Sequence, residues 1–222
     1  MKKIIILLVT PFFLIYGETL SELNKKGISA LQKKDYKKAE EYFKKSLSLS
    51  PEDAKANYNL ACTYSLMQSE CETVEADTFV LLEKAVAADK NYKAKMQRDP
   101  DLITIRNNVK FYKIAGLTNK QILTKITWYG PKPGVANIDK LVFLENGTFK
   151  YYIFNASGEA NPGYLEYNGT YIWMADDIQI QFTGKIPFDH GKRKLKVKMK
   201  NNTIKIENLD HDLTDYEDRC SA

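Results

Sequence analysis

Residues 27–51 read GISALQKKDYKKAEEYFKKSLSLSP: a glycine inside one helical pattern, then a second helical pattern thick with lysine and glutamate. Leu23, Gly27 and Ala30 share one face of a first helix, and Ala39, Phe43, Ser46 and Leu47 share one face of a second, because residues three, four and seven apart stack on a helix surface. Lys34 and Asp35 stand at the turn between them. Glycine in an isolated helix costs about 1 kcal/mol relative to alanine, so Gly27 predicts a second helix close enough to exclude a side chain. The charges follow from spacing. Lys37 and Glu41, Glu40 and Lys44, and Glu41 and Lys45 are each one helical turn apart, which marks a solvated outer face rather than a surface for an anionic partner.

The order Gly27, Ala39, Phe43, Pro51 resembles the tetratricopeptide repeat, in which small residues let two helices cross, a large one fills the gap and a proline ends the unit. A second, looser unit follows in AKANYNLACTYSLM (54–67) and DTFVLLEKAVAAD (77–89), with Leu60, Ala61, Tyr64, Leu82 and Ala85 at the matching positions. It departs from the repeat in two ways: the connection QSECETVEA (68–76) is too long, and Lys90 stands where the closing proline belongs. The run NYKAKMQRDPDLITIRNNVKFYKIAG (91–116) resembles the terminal segment such arrays need to cover an apolar end face. The resemblance implies a protein–protein interaction module whose partner lies against Asn24, Ile28 and Leu31 of one helix and Tyr58, Cys62 and Ser65 of another. Ile28 departs from the lysine and asparagine clamp that chaperone-binding members use, so the implied partner is an apolar peptide or a helix. The alternative is a shallow groove whose apolar residues pack on the β domain.

From Ile122 onward the period changes from helical to two. Ile178, Ile180 and Phe182 alternate with Gln179, Gln181 and Thr183, and Leu195, Val197 and Met199 alternate with Lys194, Lys196, Lys198 and Lys200. Asn146-Gly147, Asn168-Gly169, Asp176-Asp177 and Asn201-Asn202 read as turns. About seven or eight short strands without intervening helices predict an antiparallel meander that curls into a half-open or closed small barrel. The order ITWYG, LVFLENGTFKYY, GTYIWMADDIQIQFTG resembles small lipocalin-like domains of exported bacterial proteins. The fold class is therefore α+β, with an export signal at 1–17, a helical domain at 18–115, a β domain at 116–209 and an acidic tail at 210–222.

The β domain carries the second functional reading, a small-ligand or envelope-component site lined by Trp128, Phe143, Tyr151, Tyr171 and Trp173, weighed against the same aromatics forming barrel core. On GKRKLKVKMK, Lys194, Lys196, Lys198 and Lys200 fall on one strand face and add their charges locally, marking a face for an anionic envelope component. The alternative is an edge strand protected from aggregation by its lysines. The tail carboxylates Asp210, Asp212, Asp215, Glu217 and Asp218 lie close in sequence and would quiet such a face.

Residues 1–17, MKKIIILLVTPFFLIYG, have the layout of an export signal, a short cationic start and an apolar run. The run is shorter than the ~20 residues that span a bilayer, so no integral span is expected after cleavage, and the protein is expected in the periplasm or cell envelope. An uncleaved anchor is the alternative. Residues 18–115 carry 17 Lys+Arg against 15 Asp+Glu, and 116–222 carry 14 against 13, a balance that does not suggest a nucleic-acid binder. Three cysteines, Cys62, Cys71 and Cys220, form no disulfide framework. His190 and His211, the two histidines, lie near no nucleophile motif, and the Asp210–Asp215 cluster lacks the spacing of a calcium loop. The expectation is a protein without enzymatic activity, cofactor or metal.

Overall fold

A computed structural model describes residues 18–67, 75–130, 139–155, 163–184, 186–187 and 193–215. Residues 1–17, read as an export signal, Cys71, Cys220, His190 and the residues beyond 215 lie outside them. The described chain is helical first and then a closed antiparallel barrel. Among the described residues no helix is long and apolar enough to cross a membrane.

Helices α1 (Leu20–Gln32) and α2 (Tyr36–Leu49) form the first hairpin. Thr19 and Glu22 close a reciprocal capping box at the start of α1, and the Asp35 side chain caps α2. Lys34 turns the chain at a positive φ of 59°, where the sequence places the turn. Phe43 lies flat on Gly27: a Cβ at position 27 would sit 2.5 Å from the ring. The expected Glu40–Lys44 pair closes at 2.6 Å on the outer face.

Helices α3 (Ala54–Met67) and α4 (Glu75–Ala88) form the second hairpin. The chain then returns through α5 (Tyr92–Met96) and a 3-10 helix (Pro100–Ile105), which lies against α3. With α2 on one side, and α4 and the 3-10 helix on others, α3 is buried over most of its circumference. Two apolar clusters result, one around Phe43, Leu60 and Tyr64, the other around Cys62, Leu82, Met96, Leu102 and Phe111.

Short helices α6 (Val109–Ile114) and α7 (Asn119–Leu123) lead into the strands: β1 (Thr127–Tyr129), β2 (Lys140–Phe143), β3 (Thr148–Asn155), β4 (Gly163–Met174), β5 (Asp177–Thr183), β6 (Lys194–Lys200), β7 (Thr203–Ile206) and β8 (Leu213–Thr214). Each pairs with the next, and β8 pairs with β1 through Thr214 and Tyr129, closing the wall. Period-two alternation sends Trp128, Phe143, Phe149, Tyr151, Ile180 and Val197 inward, all at 1% exposure or less. Ile122, Leu123, Ile126 and Val109 join the same cluster from the helical side and plug one end.

Two expectations change here. Gly169 is in mid-strand on β4, opposite Phe149, rather than in a turn; a Cβ there would overlap the Gln181 main-chain oxygen and the Phe149 ring. And the segment from residue 210 supplies β8, so the barrel extends past the expected boundary at 209. Asn146-Gly147 does turn the chain, with Gly147 at φ 82°, and Asn201 at φ 53° links β6 to β7.

The halves are joined by side chains. The Asn107 amide donates to Thr127 O and Asp215 O, and its oxygen accepts from Thr127 N at 2.7 Å. Asp215, 1% exposed, accepts from Val109 N at 2.6 Å at the start of α6. Burial pushes its carboxyl above the usual range, opposed by that N–H and by Lys113.

Candidate binding surfaces

The helical face predicted to hold a partner is occupied by the chain itself on its α3 side. Tyr58 and Ser65 are buried beneath the segment at residues 99–105: the Tyr58 hydroxyl donates to Asp99 at 2.8 Å, and Ser65 Oγ shares a hydrogen bond with Thr104 Oγ1 at 2.7 Å. Cys62 is buried with them. On the other side Asn24 is buried and donates to Asp53 at 3.1 Å, while Ile28 and Leu31 are half-buried against the Phe43 cluster. The sequence identifies a terminal segment, but not that its turn DPDLITI would seat itself on this face.

Cys62, Asp99 and Asp101 bring a thiol and two carboxylates within 4.8 Å of one another. Burial, then Asp99 and Asp101, pushes the thiol well above its ordinary range, and burial with Asp99 raises Asp101. That holds the thiol protonated while no cation is bound, and Asp99 is already engaged by Tyr58 and the Asp101 N–H.

The barrel interior is filled. Trp128, Phe143 and Tyr151 of the expected aromatic site are core residues, and Phe143 meets the half-buried Tyr171 edge-on at 5.0 Å. Tyr171 and Trp173 are packed half-buried against the same core, and they also line an open cleft of about 800 Å³ where the helices meet the barrel rim. Its barrel side is the turn Glu145–Gly147 with Tyr171, Ile172 and Trp173; its helical side is Gln97, Leu117, Lys120, Gln121, Thr124 and Lys125. Lys125 and Glu145 neutralise one another across it at 2.8 Å, each shifting the other toward its charged form. The Gln97 amide nitrogen donates to Lys93 O, and the Gln121 oxygen accepts at the α7 cap. The opposite ends of these two amides, one acceptor and one donor, have no partner among the described residues, and neither does the Lys120 ammonium. Sequence periodicity places Trp173 on an inward strand face; only the topology puts that position at the rim.

The other end of the barrel carries a polar cluster that joins Asp210 and His211 to Asp139 and Tyr151, partners the sequence did not connect with them. His211, expected in a solvated tail, is half-buried between Asp210 at 2.8 Å and Asp139 at 3.6 Å, and Asp139 accepts from Tyr151 at 2.7 Å. Burial and this bond hold the Tyr151 phenol well above its ordinary range, so it acts as a donor and not as a nucleophile.

Lys194, Lys196, Lys198 and Lys200 are all exposed on the outer face of β6, where the alternation placed them. The strand is not an edge: β5 pairs along one side and β7 along the other. Lys205 on β7 stands directly opposite Lys198, so the face carries five lysines.

Compared with known proteins, the chain matches no family model, no curated protein and no solved structure.

Proposed function

We propose that the protein is an exported, non-enzymatic binding protein in which the helical half, repeat-like in sequence, is a self-filled scaffold and the ligand sits in the cleft between it and the barrel rim. The observation that supports this reading is that cleft: about 800 Å³, within the ~300–1,000 Å³ of small-ligand sites, and placed at the junction of two folding units. Its chemistry suits a saccharide. The Trp173 indole and Leu117 offer apolar contact to the C–H face of a sugar ring, while the uncommitted ends of Gln97 and Gln121 and the Lys120 ammonium suit hydroxyl and carboxylate groups at its edge. A protein partner on the helical face is less well supported, because residues 99–105 already occupy its α3 side.

Trp128 and Trp173 are the only tryptophans, and just one of them lines the cleft. Titration with N-acetylated and uronic-acid oligosaccharides should change the protein's tryptophan emission, the change should vanish in Trp173→Phe, and Lys120→Ala with Gln121→Ala should weaken binding about tenfold. If neither oligosaccharide class produces heat in calorimetry or a change in Trp173 emission, the saccharide reading is abandoned.

A further inference from the structure

The lysine face of β6 and β7 is a separate surface, carried by a separate observation. Among the described residues none of Lys194, Lys196, Lys198, Lys200 and Lys205 has a carboxylate within ion-pairing distance. The carboxylates on the neighbouring registers are two: Asp177, across from Lys198 on β5, and Glu207, whose Oε2 accepts the Lys196 main-chain N–H at 3.2 Å. Lysines on one strand face repeat every ~6.6 Å, and strands lie ~4.8 Å apart, so five ammonium groups fall within one patch of wall. Directly opposed like charges destabilise a sheet, and Lys198 faces Lys205. Edge protection cannot account for them, because closure of the barrel leaves β6 no free edge.

We infer that this face docks on an anionic lipid surface. The patch lies on the outer wall of a barrel rather than in a groove, so it meets a plane of headgroups more completely than it could track a polyanionic chain. Its residues are lysines, flexible point charges that need no fixed partner geometry, and not the forked guanidinium groups that grip a single phosphate or carboxylate. Across the strands they are flanked by Gln179, Gln181 and Thr203, so the face has no aromatic platform on which a base could stack. Aliphatic lysine stems can lie along the wall while their heads reach the headgroups. The apolar run at Ile4–Tyr16, read as an export signal or anchor, would bring the chain to a membrane in any case. The cleft residue Trp173 is on β4, two strands round the wall, so docking leaves the cleft open.

The experiment is co-sedimentation of the mature chain with phosphatidylglycerol-containing vesicles, with phosphatidylcholine vesicles as the neutral control. Binding is expected only to the anionic vesicles and should fall steeply with salt. Lys198→Gln should weaken it about fivefold, and replacing Lys196, Lys198 and Lys200 together should weaken it about a hundredfold. A variant with three lysines of the helical half changed instead, Lys37, Lys55 and Lys90 to Gln, has the same net charge and should bind as the parent does. Equal losses in the two triple variants would show that net charge, not the face, is responsible, and would overturn the inference. So would the absence of anionic-vesicle binding, or tight heparin binding without vesicle binding, which would mark the patch as a polyanion site. Circular dichroism on each variant verifies the fold, since all the substituted side chains are exposed.

Discussion

Each half of the molecule sets an aromatic ring on a glycine, and the two pairs differ in what holds the glycine in place. In the helical half Phe43 lies on Gly27, and the three atoms nearest to where a side chain would begin all belong to that ring. In the barrel Phe149 lies on Gly169, but main chain crowds the same space: the Gln181 carbonyl belongs to the neighbouring strand. A helix pair can shift by sliding, since α1 is the outer helix of an open stack. A strand within a closed wall cannot, because every register is locked to the next through β8. Closure therefore makes the barrel the less forgiving half.

The largest effect expected from that difference is at Gly169. Gly169→Ala should destabilise the protein by about 3 kcal/mol or more, since the overlap cannot be relieved by rotating a ring and overpacking a rigid site stands at the upper end of its range. Loss of near-ultraviolet dichroism ahead of the helical signal at 222 nm would locate the damage in the barrel. A melting curve like the parent's would mean that the wall is not closed as described.

Asn107→Ala comes next, at about 2–3 kcal/mol, because it leaves the Thr127 and Asp215 main-chain groups without their shared partner at the joint between halves. The same contact sharpens the expected boundary at 116. A fragment beginning there lacks Asn107 and Val109, so a 105–222 fragment should melt higher than 116–222. Equal melting temperatures would show that the joint adds nothing to the barrel. Gly27→Ala should cost less, about 1–2 kcal/mol net, because the overlap with Phe43 is offset by about 1 kcal/mol of recovered helix propensity. If Gly27→Ala proves worse than Gly169→Ala, the contrast between an open stack and a closed wall fails.

A smaller, pH-dependent effect belongs to Asp215. Its carboxyl titrates above the usual 3.8 in the folded chain because it is buried, so the folded state binds the proton more tightly than the unfolded state does. Its contribution to stability is therefore greatest below that value and is lost as pH rises through the raised folded pKa. Asp215→Asn keeps an acceptor for the Val109 N–H and removes the titration. The melting temperature of the variant should gain on the parent's as pH is raised from about 3.5 toward neutrality. A constant difference would mean that the carboxylate is solvated after all.

What the sequence revealed and what it hid divide by range along the chain. The hairpin of α1 and α2, the turn at Lys34, the inward strand residues and the lysine face all follow from period and spacing within a few turns or a single strand. The contacts that decide where a ligand can sit are long-range: residue 107 with residue 215, Tyr58 with Asp99, Gly169 with the Gln181 carbonyl. Leu213 and Thr214 are too short a run to read as a strand beside so many carboxylates, so the segment that closes the barrel resembled a tail. Asn168-Gly169 has the composition of a turn, and only the Gln181 carbonyl and the Phe149 ring, both brought in by strand pairing, explain why glycine is needed there. The cleft unites helix and rim residues about 75 positions apart, from Gln97 to Trp173, and no local pattern joins them.

The smallest effect is the one that separates structure from use. Lys198 stands between Lys205 on β7 and Asp177 on β5, and no ion pair forms with the latter: replacing Lys198 by glutamine removes a like-charge cross-strand pair at the cost of one unpaired opposite charge, without changing the inward face. Lys198→Gln should raise the melting temperature by about 1 °C at low ionic strength, and the gain should fade near 1 M salt, where charges are screened over ~3 Å. The same substitution is expected to weaken binding to anionic vesicles. A residue whose removal stabilises the fold and impairs an interaction is placed for the interaction, because packing alone would favour the glutamine. If Lys198→Gln lowers the melting temperature, the lysine is part of the wall's own stability, and the face has lost the argument that most sets it apart from the rest of the barrel.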